Sequence, residues 1–197
     1  MNFLSIFSID SDILLYVQDH IRCGFLDKVF PFITKLGDAG IFWIILSLAL
    51  LCFKKTRKAG AFSAGALVGS LLLNNMFLKV VINRTRPYEL IDGLKLIGKA
   101  AHDASFPSGH TAASFASCVA IFPNVKKRFG IPLVILATLI SLSRIYIGIH
   151  YPSDVVGGFV SGLVLGILAN VIGNLIIRKW QNRKSAAVAS ETEQKEA

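Results

Sequence analysis

The chain has 197 residues, 53% of them hydrophobic, with 21 Lys and Arg against 12 Asp and Glu (net charge +9) and a mean hydropathy of +0.60. A soluble domain holds about 45–50% apolar residues even counting glycine, so this excess, gathered in long runs, points to an integral membrane protein and excludes an ordinary soluble one. The positive charge does not indicate nucleic acid, because much of it lies in short clusters that abut apolar runs, as in cytoplasmic membrane loops.

Residues 1–36 are mixed: Asp10, Asp12, Asp19, Arg22, Asp27 and Lys28 interrupt apolar residues every few positions. They read as one or two amphipathic helices lying at the membrane surface. No basic start or small-residue cleavage site suggests a signal peptide. A first span follows over 38–53, short for a hydrocarbon core that takes roughly 20 helical residues, and it extends back toward Phe32. Lys54-Lys55-Thr56-Arg57-Lys58 ends it. A second span covers 59–82, with Gly60, Ser63, Gly65, Gly69 and Ser70 forming a small-residue stripe suited to close helix contact.

A polar loop, 83–106, separates it from a third span at 110–124, which stops at Pro123 and Lys126-Lys127-Arg128. A fourth span covers 130–149 and a fifth 154–177, ended by Arg178-Lys179. The tail, rich in Ala, Ser, Glu and Lys without periodicity, reads as disordered from residue 181. Cys52 and Cys118 read as buried small hydrophobes; with Cys23 they make neither a disulfide framework nor a zinc spacing.

The expected fold is therefore all-α: a polytopic membrane helical bundle with five transmembrane spans, a sixth being possible, plus an N-terminal interfacial helix. The expected divisions are 1–36 interfacial, 37–180 transmembrane domain and 181–197 disordered tail. Two spans separate each pair of basic clusters, so all three clusters fall on one side, the cytoplasm, together with the tail. The ends carrying Lys79, Arg86, His110, Arg144, His150 and Asp154 then gather on the opposite side.

Ionisable groups at membrane depth are costly and are functional candidates. Phe106-Pro107-Ser108-Gly109-His110-Thr111 opens the third helix, whose first-turn N–H groups suit an anion, and His110 sets a titratable ring beside it. Pro-Ser-Gly is also common turn chemistry, so this stretch gains its meaning from its neighbours. Lys79 and Arg86, seven apart, present two cations to the same end of the second span, where snorkelling to headgroups is the bland alternative. Arg144 sits in an otherwise apolar span and its fork suits phosphate oxygens, or a buried salt bridge. His150 and Asp154 are four apart, so the carboxylate can fix the imidazole tautomer and leave the other nitrogen as a nucleophile.

Lys79-x6-Arg86-Pro87, Pro107-Ser108-Gly109-His110 and Ser143-Arg144-x5-His150-x3-Asp154, in that order, resemble the three-part signature of the type 2 phosphatidic acid phosphatase superfamily. The resemblance covers roughly residues 60–177. The family's active site is similar to that of vanadium-dependent haloperoxidases, and the membrane spans favour the phosphatase branch. Six spans are common among its membrane members, a pattern from which the N-terminal part of this chain departs.

The resemblance implies a lipid phosphatase that works through a phosphohistidine. His150 resembles the nucleophile, Asp154 its orienting carboxylate and His110 the general acid. Lys79, Arg86, Arg144, Ser108 and the Gly109 N–H resemble the phosphate cradle. It implies no metal and no cofactor. The partner is a membrane lipid phosphate, met on the extracytoplasmic side of the inner or plasma membrane. Undecaprenyl pyrophosphate is the expected substrate, with phosphatidylglycerophosphate and phosphatidic acid as alternatives. Rival readings are a transporter or channel that binds an anionic lipid through the same cations, a non-catalytic scaffold, and a metal enzyme using His102, Asp103, His110 and His150.

Overall fold

The computed structural model describes residues 3–196, and side chains over residues 8–185. Every regular element among these residues is helical. The helices are α1 (Phe3–Tyr16), α2 (Leu26–Lys35), α3 (Ile41–Cys52), α4 (Arg57–Ser70), the short α5 (Lys79–Ile82) and α6 (Pro87–Leu90), α7 (Gly109–Ile121), α8 (Lys127–Tyr146) and α9 (Pro152–Glu196). α4 joins α5 through a π-helical stretch, Leu71–Leu78, and α1 ends in a π-helical turn, Val17–Ile21.

Among the described residues, three helical stretches are long and apolar enough to cross a membrane: Arg57–Leu90, Lys127–Tyr146 and Pro152–Ser185. A fourth qualifies if α2 is taken with Asp38–Cys52, across a bend of 42°. The chain is thus a multi-pass membrane protein with three to four candidate spans, where five were expected. The difference lies in α7. Its 13 residues rise only about 20 Å, and a 3-10 turn containing Pro123 ends it.

α7 is nevertheless the axis of the bundle. It buries Thr111, Ala112, Ser114, Ala116, Ser117, Cys118, Ala120 and Ile121. It packs most extensively on α9, then on α4 and α8. Small side chains make this possible. A Cβ at Gly158 would lie 2.6 Å from the Ser108 carbonyl, and one at Gly162 would lie 2.6 Å from that of Ala112. Glycine at both positions lets the α9 backbone rest on α7.

The small-residue stripe expected on the second span is divided. Gly60 faces the α3 backbone, and Ser63 bridges Ser47 and Ser117 at 2.6 Å each. A Cβ at Gly65 would meet nothing within 4 Å. Large apolar side chains such as Ile44, Leu48, Met76, Phe77, Ile135, Leu142 and Val160 are exposed around the outside. Such a surface suits hydrocarbon.

Two further expectations are corrected. The chain does not become coil at residue 181: α9 continues to Glu196, in keeping with the strong helix propensity of Ala, Glu, Gln and Lys. Residue 197 of that tail lies outside the described residues, as do the side chains after 185. Cys118 is buried, but Cys52, at the last turn of α3, is exposed.

Helix direction decides where polar ends meet. α4 starts beside the Lys54–Lys58 cluster and leads to Lys79, while α7 starts at Gly109 and ends near the Lys126–Arg128 cluster. α8 starts at that cluster and carries Arg144 in its last turn. α9 starts beside His150 and carries Asp154 in its first turn. The Ser108 N–H donates to the Asp154 carbonyl at 3.0 Å, fastening the starts of α7 and α9 together.

Candidate active site

At this end the bundle holds a cavity of about 600 Å³ whose polar lining includes Lys79, Arg86, Asp103, His110, Arg144 and His150. Its remaining lining is largely apolar and is drawn from α3, α4 and the π-helical stretch that follows, with Ile44, Leu48, Leu67, Val68 and Leu71. Five of the ionisable residues predicted from sequence thus share one chamber, and Asp154 stands behind it.

His150 lies in the turn between α8 and α9, 2% exposed. Its Nδ1 is 3.4 Å from Asp154 Oδ2, and its Nε2 is 3.4 Å from Arg86 Nη1. Asp154 also accepts from the Tyr151 N–H at 3.0 Å, from the Ser105 hydroxyl, and from Arg84 Nη1 at 2.7 Å. With so many donors on it, the carboxylate is ionised and fixed, and Nδ1 of the ring is the protonated nitrogen. Nε2 is then the lone pair on the cavity side. Burial, with the charges of Arg144 and Arg86 adding to it, outweighs the hydrogen bond to Asp154 and pushes the imidazole down to about 3. The ring is neutral at physiological pH, as a nucleophile requires.

His110 occupies the first turn of α7, with Nε2 2.9 Å from Asp38 Oδ1. Asp38 belongs to the bend between α2 and α3. A Cβ at Gly37 would lie 2.6 Å from His110 Cδ2, so the bend presses closely on this ring.

The cations converge from three elements. The helix carrying Lys79 ends at Asn83, whose φ of +43° is left-handed, a conformation that asparagine tolerates better than most residues. The chain then runs extended into Arg86, whose ψ of 151° follows from the proline after it. Arg86 donates to the carbonyls of Asp103 and Ile149 at 2.9 Å each and to Asp103 Oδ1 at 2.6 Å. Lys79 pairs with the other Asp103 oxygen. Burial raises the Asp103 carboxyl, but Lys79 and then Arg86 outweigh it and hold it down at about 2. Arg144 donates to Thr34 Oγ1 at 2.6 Å, and its Nε is buried without a hydrogen-bond partner. The residue as a whole lines the cavity.

Gly109 lines the cavity, and a Cβ there would lie 3.2 Å from Asn75 Oδ1. Ser108 does not line it: this residue is fully buried and caps α7, its hydroxyl accepting from the Thr111 N–H at 3.5 Å and the Thr111 hydroxyl at 3.0 Å. Sequence reasoning missed Arg84, Ser105, Asp38 and Thr34 as contributors. Arg84 had a signal, standing two residues before Arg86 in a short polar turn. The others come from distant segments with no local pattern. Among the described residues, no group of three or more His, Cys, Asp or Glu side chains is arranged to hold a metal ion, so His102, Asp103, His110 and His150 do not form one.

The geometry offers a fixed imidazole lone pair, a second imidazole in the same chamber, and clustered cations: the parts needed to hold and attack a phosphoryl group beside an apolar wall. Comparison with known proteins agrees. A family model described as the PAP2 superfamily matches residues 60–178. An undecaprenyl-diphosphatase of Sulfolobus acidocaldarius is 32% identical over 137 residues, which cover 70% of this chain and 66% of that protein. Undecaprenyl-diphosphatase BcrC of Bacillus subtilis is 35% identical over 141 residues, 71% of each chain. The crystal structure of a transmembrane PAP2-type phosphatidylglycerolphosphate phosphatase from Bacillus subtilis superposes with a TM-score of 0.71 at 29% identity, over 87% of this chain and 88% of that one. The matched region thus covers about two thirds or more of the length of each of these two relatives. It belongs to the PAP2 superfamily of membrane lipid phosphatases.

Proposed function

We propose that the chain hydrolyses undecaprenyl diphosphate to undecaprenyl phosphate and inorganic phosphate through a phosphohistidine on His150. The observation that carries the reading is the placement of His150, with Nδ1 tied to Asp154 and Nε2 against Arg86, in the chamber that also holds His110. Lys79, Arg86, Arg144 and the Gly109 N–H hold the terminal phosphoryl oxygens. Ser108 supports them by fixing the start of α7. Nε2 attacks the terminal phosphorus, and the bond to the bridging oxygen breaks as His110 protonates the departing lipid phosphate. Water then attacks the phosphohistidine, giving its proton to His110; inorganic phosphate leaves and His150 is restored. The residues present supply the charge stabilisation for both steps without a metal.

The apolar wall from α3 and α4 suits a prenyl or acyl chain. In this reading α7 with its 3-10 extension is a fifth membrane segment, 37–180 is the phosphatase domain, and α1 lies at the outer surface. The basic clusters and the C-terminal tail lie in the cytoplasm, so the site opens on the extracytoplasmic side. A second reading, phosphatidylglycerophosphate hydrolysis, is favoured by the likeness to the solved Bacillus phosphatase.

Purified protein assayed against undecaprenyl diphosphate, phosphatidylglycerophosphate and phosphatidic acid tests the choice. Our reading expects the highest kcat/KM on the first. A clear preference for phosphatidylglycerophosphate selects the second reading.

A further inference from the structure

α1 lies outside the residues that the family model matches, yet its Asp10 is 3% exposed. A buried carboxylate is costly unless it is fully compensated. Asp10 is compensated at the start of α9. Its Oδ1 accepts from the Ser153 N–H at 2.9 Å. Its Oδ2 accepts from Arg84 Nη2 at 2.8 Å and from the Ser153 hydroxyl. Asp10 therefore caps a first-turn N–H of α9 from a different helix, while binding one arm of a guanidinium.

The other arm of that guanidinium reaches the nucleophile's partner. Arg84 Nη1 donates to Asp154 Oδ1 at 2.7 Å and to Ser153 Oγ at 2.6 Å. The guanidinium lies 3.8 Å from the centroid of the Tyr151 ring, which fixes its plane. Asp154 holds Nδ1 of His150 through its second oxygen. One cation is thus shared between two buried carboxylates, and the four residues form a single line: Asp10, Arg84, Asp154, His150. Were Asp10 neutral, the Arg84 charge would fall on Asp154 alone. The carboxylate would then be drawn toward Arg84 and hold the imidazole less firmly.

We propose that Asp10 is a positioning residue for the nucleophile, holding Arg84 so that Asp154 keeps His150 in its attacking orientation, and that α1 is thereby part of the catalytic apparatus. This rests on His150 being the nucleophile.

The test uses the full-length protein in detergent, with undecaprenyl diphosphate and phosphatidylglycerophosphate as substrates. Asp10→Asn keeps an oxygen for the Ser153 N–H and removes the charge; Asp10→Ala removes both and carries the greater risk of misfolding. Asp10→Asn is expected to lower kcat by about tenfold, with KM changed by less than about twofold, as for other groups that act through a ligand's partner. In an Arg84→Gln background the same change is expected to cost less than about twofold, because both residues act through one link. An unchanged kcat, or full additivity with Arg84→Gln, overturns the proposal. Ring-nitrogen NMR of labelled histidine supplies a readout independent of turnover. The wild type is expected to hold His150 as the Nδ1–H tautomer, and Asp10→Asn to show a mixture. If wild-type protein cleaves neither lipid, the phosphatase reading fails; the tautomer still decides Asp10, and an unaltered tautomer removes its role.

Discussion

The two histidines of the chamber are held in opposite ways. His150 is buried, and its partner Asp154 is fully buried, with donors from Arg84, Ser105 and Tyr151. His110 has 18% of its side chain exposed, and its partner Asp38 has 58% exposed. The proposed nucleophile stands in a preorganised frame, while the second imidazole has one solvated partner. This contrast suits the chemistry: attack needs one fixed direction, whereas a proton must pass to the leaving oxygen and later return from water.

The comparison can be broken most sharply by deleting each ring. His150→Ala is expected to lower kcat by at least about 10⁴-fold whatever the leaving group, as loss of a nucleophile does elsewhere. His110→Ala is expected to cost about 10²–10⁴-fold on the lipid and much less on p-nitrophenyl phosphate, whose leaving group needs no proton. Equal losses on both substrates would remove the general-acid role.

Arg144→Lys comes next. A point charge replaces a planar fork that reaches Thr34 and lines the cavity, so kcat/KM is expected to fall at least about tenfold. Near-normal turnover would take Arg144 out of the cradle.

Asp103 sharpens the electrostatic side. Its pKa is held at about 2, below the ordinary 3.8. Its contribution to stability is therefore present above 3.8 and lost as pH falls toward 2. Chemical denaturation of Asp103→Asn is expected to show a flatter pH dependence in that window. An unchanged slope would contradict the pairing with Lys79 and Arg86.

The smallest effect is expected at Asp38. Asp38→Asn should lower kcat less than about fivefold, because a solvated carboxylate contributes little. A loss as large as that of Asp154→Asn, measured side by side, would erase the contrast between the two histidines.

How much of this was legible depended on locality. Lys79, Arg86, His110, Arg144, His150 and Asp154 stand at helix ends that apolar runs and basic clusters assign to one side, so their meeting could be read from topology. Asp10 looked like one of many polar interruptions in an amphipathic segment, because its partners Arg84 and Ser153 are separated from it by 74 and 143 positions. Asp38 marked only a boundary before an apolar run. Ser108 enters the expected cradle through the family resemblance alone; its hydroxyl is occupied at the first turn of α7, a role that a serine preceding a helix commonly takes. α7 is the segment on which the span count turns: it is too short to qualify by length, and its place inside the bundle depends on the small faces of its neighbours, which no local pattern reveals. The tail's helix has no apolar periodicity to announce it, only the helix propensity of its Ala, Glu, Gln and Lys residues.

The central claim is that His150 carries the phosphoryl group, and trapping tests it most directly. Undecaprenyl diphosphate labelled in its terminal phosphate is mixed with the protein, quenched in denaturant at high pH within the first turnovers, and the labelled peptide is sequenced. Our account predicts an alkali-stable, acid-labile label on His150, which is absent from His150→Ala. Label on another residue, or turnover by His150→Ala at the wild-type rate, would contradict it.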